Sequence, residues 1–72
     1  MLSSNEQAKI SKLNFRLKWL RETHDLYIIE KRIRDAEAIK HMIYESLELR
    51  ETIKKGGFVA WSEVDVRDID DR

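Results

Sequence analysis

Glu37, His41 and Glu45 recur every four residues in this 72-residue chain, so on a helix they share one face. A carboxylate–imidazole–carboxylate row is an arrangement that can bind a divalent cation or hold an imidazole as a general base. The same spacing arises from ordinary helix-stabilising pairs, and the chain has several: Glu30/Arg34, Lys31/Asp35 and Glu51/Lys55. A metal here would also need ligands from a second chain. His24 stands beside Asp25, which can orient it. Ser46, the hydroxyl nearest His41, lies five residues on and faces elsewhere, so no base–nucleophile pair is expected. Asp65, Asp68, Asp70 and Asp71 lack the glycine and closing glutamate of a calcium loop. Gly56–Gly57 follows a helical stretch instead of opening one, which argues against a phosphate loop. With no cysteine, there is no thiolate nucleophile, disulfide framework or cysteine zinc site. The expectation is a protein that is not an enzyme, with no catalytic residues, no metal and no cofactor.

Charge offers a second chemistry. Fourteen basic and fourteen acidic residues cancel, but residues 1–34 hold eight basic and four acidic groups while residues 35–72 hold six and ten. From Lys9 to Arg21 there are five cations and no anion. Lys9, Lys12 and Arg16 lie side by side on a helical wheel, with Phe15 and Trp19 on the adjoining sector. Cations attract phosphates and aromatic faces stack on bases, so Lys9, Lys12, Arg16 and Trp19 form a candidate nucleic-acid surface. Against this, aromatics at helical spacing belong more often to a core, and basic side chains commonly cover a core stripe with their alkyl stems. The acidic end could instead occupy a basic surface on another protein, or simply solubilise the chain.

The elements that must position these residues are helices. Proline is absent and the two glycines are adjacent, so nothing before Gly56 is a strong helix breaker. Ser3 with Glu6, and Ser4 with Gln7, each fit a capping box at the start. Lys54, Lys55 and Gly56 fit a helix C-terminus. One apolar stripe runs through Ile10, Leu13, Leu17 and Leu20 and extends to His24 and Tyr27. A second runs through Phe15, Trp19, Leu26, Ile29, Ile33, Ala36, Ile43 and Leu47, interrupted by Glu22 and Lys40. At ~100° per residue the stripes point roughly 140° apart. Either polar interruption can fix register in a coiled coil or snorkel from its edge.

The sequence therefore predicts an all-α fold of one domain spanning 1–72. It is either a helical hairpin or a continuous coiled-coil helix over about 5–55, with a short C-terminal tail, assembling as a helical bundle. In the hairpin, helices over 5–22 and 26–54 are joined by a turn near Thr23–His24–Asp25, where Thr and Asp are good N-cap types. The tail, 58–72, is apolar then acidic and folds back on Phe58 and Trp61. Its Ser62–Asp65 stretch can start a helical turn, while Val64 and Val66 alternate as in a strand.

A chain this short supplies only ~3–5 kcal/mol from a single core, so self-association is an expected source of further burial. The leading expectation is a protein–protein interaction module, a homodimer or a partner-binding helix face. Its interface would be Phe15, Trp19, Leu26, Ile29, Ile33, Ile43, Leu47, Phe58 and Trp61, since aromatics and large apolar side chains dominate interface energetics. A regulatory nucleic-acid binder and an acidic-tailed adaptor or inhibitor are the alternatives. No apolar run approaches the roughly 20 residues that cross a bilayer, and residues 1–4 do not open a secretory signal. A cytoplasmic location is expected.

Overall fold

The computed structural model describes residues 2–64. Two helices, α1 (Ser4–Ile29) and α2 (Ile33–Lys54), form an antiparallel hairpin, and a single turn of helix, α3 (Trp61–Val64), folds back against α1. No strand occurs among the described residues. The fold is thus all-α, and of the two architectures open to the sequence it is the hairpin.

α1 begins at the first of the two capping boxes. Glu6 N donates to Ser3 Oγ at 3.1 Å and Ser3 N donates to Glu6 Oε1 at 2.9 Å, which satisfies two amides that the helix cannot. Gln7 takes no part in a box and donates from its side chain to Leu2 O instead.

The turn does not fall at Thr23–His24–Asp25; all three residues are helical, and the chain reverses at Glu30–Lys31–Arg32. Lys31 adopts the left-handed conformation at φ 62°. Lys31 N donates to Ile28 O at 3.0 Å and Arg32 N to Tyr27 O at 2.8 Å, the bond pair of a Schellman ending. An apolar contact usually seals that motif. Here the Arg32 guanidinium lies over the Tyr27 ring, 4.2 Å from its centre. Arg32 also donates through Nε and Nη2 to Asp35 Oδ2, each at 2.7 Å, and so anchors the first turn of α2, which has no side-chain cap of its own. That hydrogen bond with Asp35 raises the Arg32 pKa above its already high ordinary value, so the cation is permanent.

α2 ends in the same motif with the expected residue. Gly56, at φ 89°, donates to Ile53 O, and Gly57 N donates to Thr52 O at 2.8 Å. The chain then crosses back through residues 57–60. Ala60, just before α3, is its cap: the Ala60 amide donates to Glu63 Oε2 at 3.1 Å, so of the two local patterns the helical turn forms, two residues earlier than a cap at Ser62 would place it. Val64 is helical, and Asp65 and Val66 lie outside the described residues.

The first stripe faces α2. Leu13, Leu17 and Leu20 are buried, opposite Ala36, Ile39, Ser46 and Ile53. Ala36 and Ser46 are small, which lets the helices approach; the buried Ser46 hydroxyl donates to Met42 O, one turn back, at 2.9 Å. At the open end of the hairpin Leu13 and Ile53 pack with Val59 and Val64 from the returning segment. The molecule measures 42 × 23 × 14 Å. Among the described residues only two long helices pack on each other, so the side of α1 turned away from α2 and from the returning segment has no further helix over it.

Candidate functional site

The chemical rows of the sequence do not become sites. Glu37, His41 and Glu45 are all exposed, and no group of three potential ligands converges among the described residues. His24 Nδ1 lies 3.6 Å from Asp25 Oδ1, too far for a hydrogen bond. Ser46 is sealed in the helix interface and already hydrogen-bonded. An open groove of about 430 Å³ lies between the start of α1 and the Gly56–Gly57 turn. Its polar groups are committed: Glu6 to the Ser3 amide, Asn5 Oδ1 to Trp61 Nε1 at 3.0 Å, and Lys9 to Val59 O.

The basic strip is altered by the returning segment. Lys9 is only 4% exposed, donates from Nζ to Val59 O at 2.6 Å, and sits 5.0 Å from the Phe58 ring centre and 5.6 Å from that of Trp61. It is therefore a structural cation and not a surface one, which corrects its assignment to a phosphate-binding strip. Arg16 is half-buried; its Nη1 reaches Glu63 O at a long 3.4 Å, and its Nε is buried with no hydrogen-bond partner among the described residues. Lys12 and Trp19 stay on the surface. The acidic residues Asp65, Asp68, Asp70 and Asp71 lie outside the described residues.

The second apolar stripe is split. On α2 it turns inward: Ala36 is buried, and Ile43 and Leu47 are half-buried at the edge of the hairpin interface instead of on an outer face. On α1 it stays outside. Phe15 is 73% exposed, Trp19 41%, Leu26 50% and Ile29 76%, and Ile33, across the turn, is 56% exposed. The spacing of 15, 19, 26 and 29, with Glu22 between, is the 3/4 alternation of a heptad seam. The cause is geometric. With α1 helical through Ile29, Leu13, Leu17 and Leu20 already hold the side facing α2, and the stripe roughly 140° away is turned from α2.

Phe58 and Trp61 were expected to anchor the tail. They do so through Lys9 and Asn5 and not by burial: Phe58 is 83% exposed and Trp61 sits near Lys9 with its indole N–H on Asn5, while the apolar packing is done by Val59 and Val64, which are 3% and 1% exposed. Ile28 and Tyr44 are further exposed apolar side chains that the two stripes did not include.

Compared with models of known protein families, with curated proteins and with solved structures, the chain matches none. Fold and surface define a small all-helical domain with no catalytic constellation among its described residues and with an uncovered apolar line along its longest helix. No helix among the described residues is long and apolar enough to cross a membrane.

Proposed function

We propose that this chain is a non-enzymatic assembly module that self-associates, as a homodimer, through the outward face of α1. One observation carries the reading: Phe15, Trp19, Leu26 and Ile29 stand in line on one helix, each at least 41% exposed. Single exposed apolar residues are ordinary on any protein, whereas four large ones in line on one helix face, broken only by Glu22, mark an interaction surface. The heptad spacing is that of helices that pack side by side. Ile33 extends the row past the turn, and the groove and the charged rows supply no competing chemistry.

The test is sedimentation of the full chain over a range of concentrations, with Leu26→Lys/Ile29→Lys as the comparison. Both side chains are exposed, so the variant keeps its helical circular dichroism. The natural chain is expected to dimerise and the variant to stay monomeric. A well-folded natural chain that remains monomeric at hundreds of micromolar would remove the proposal.

A further inference from the structure

The charges beside the seam have an order that bears on how two copies meet. Lys18 and Asp25 lie seven residues apart on one flank of the Phe15–Glu22–Ile29 row. Both are exposed, Asp25 with 81% of its side chain open, and Lys18 makes no ion pair among the described residues. Glu22 is itself exposed and sits within the seam.

Resting on the self-association proposed above, we infer that the occupant of the α1 face is a second copy of this chain lying antiparallel, with its two-fold axis close to residue 21. In that register Lys18 of each copy faces Asp25 of the other, so the pair forms twice. Phe15 packs beside Leu26 of the second copy. Glu22 lies against Trp19 of the second copy, where its methylene stem covers the indole and its carboxylate reaches water.

The parallel alternative sets Glu22 directly against Glu22 within the seam and brings Asp25 toward Glu30 of the second copy, like charges in both places. Charge order thus selects the antiparallel pairing. Area agrees with a dimer. At roughly 150–200 Å² per large apolar side chain, the exposed parts of Phe15, Trp19, Leu26, Ile29 and Ile33 come to roughly 500 Å². Covering all of it would bury about 1,000 Å² from these side chains of two copies together, the smallest area expected of a specific interface. An interface at that limit depends on its flanking charges for orientation.

Charge reversal tests the register. Sedimentation at low ionic strength, where exposed pairs are least screened, compares Lys18→Asp, Asp25→Lys and the double variant. Each single reversal turns two symmetry-related attractions into repulsions and is expected to weaken dimerisation about tenfold. The double variant is expected to recover to within about threefold of the natural chain. Lys40→Asp, which makes on α2 the same change in net charge as Lys18→Asp, is expected to have no effect. The chain has no cysteine, so Lys18→Cys mixed with Asp25→Cys is expected to cross-link on oxidation, and neither variant alone, because self-pairs at either position are about 10 Å apart along the helix. A dimer that ignores the reversals, is not rescued by the double variant, or cross-links like with like overturns the antiparallel register and leaves self-association standing. A chain that never dimerises overturns both.

Discussion

An ammonium leaves water only if something replaces its hydration, and Lys9 has three replacements: the Val59 carbonyl at 2.6 Å and the faces of Phe58 and Trp61. The aromatic rings that looked like tail anchors hold the segment by covering this cation, while Val59 and Val64 do the apolar packing. Lys9→Met keeps the apolar stem but leaves the Val59 carbonyl without a donor. It is expected to cost about 1–3 kcal/mol, the range for orphaning a buried polar group. Lys40→Met, at an exposed site, is expected to stay within ~0.5 kcal/mol. Urea unfolding compares the two, and in a Trp19→Phe background the Trp61 emission of the Lys9 variant should shift at lower urea than the helix signal. Sequence put Lys9 on an exposed basic strip of α1 because it could not place the partner that buries it, which lies 50 residues away. Neither periodicity nor local charge contains that information.

Both helix ends use one bond pattern with different residues, and that difference explains what could be read beforehand. At the end of α2, Gly56 takes the left-handed conformation freely, and glycine announced the stop. At the end of α1 a lysine takes it, held by the Arg32–Tyr27 stack and by the Arg32–Asp35 bonds. No single residue type marks such a turn. Thr23 and Asp25 are good caps in isolation, yet stopping there would have withdrawn His24 and Tyr27 from the stripe that faces α2, where both are now half-buried. A usable signal was present: the first stripe ends at Tyr27, and its next position is Lys31. Lys31→Gly is expected to stabilise the fold. Removing the left-handed penalty of ~1–2 kcal/mol outweighs the added freedom of the unfolded chain and nets roughly 0.5–1 kcal/mol. For a domain of this size that is about 2–8 °C in Tm by calorimetry. Gly57→Ala is expected to do the reverse, since an added Cβ would lie 2.7 Å from Thr52 Cγ2 and 3.1 Å from Thr52 O.

For the molecule as a whole, the question is how so thin a domain secures its fold. Among the described residues, the eight buried apolar ones form one interface plus a small end cluster, and the outer row of α1 takes part in neither. The row from Phe15 to Ile29 was legible in the sequence, because heptad spacing survives in any helix. Which half of the longer stripe would be covered was not, because that depends on where the chain reverses, and a reversal further along turned Ile43 and Leu47 inward. If the exposed row is the site of assembly, dimerisation and folding are linked, since a dimer that binds only folded chains raises their apparent stability by mass action. The Tm of the natural chain is then expected to climb with concentration by several degrees over a hundredfold range. That of Leu26→Lys/Ile29→Lys should stay flat, and the two curves should converge at high dilution. Differential scanning calorimetry at low and high concentration reads both. A natural chain whose Tm ignores concentration would mean that the contacts within one chain secure the fold, and the outward row would have to be explained by something other than self-assembly.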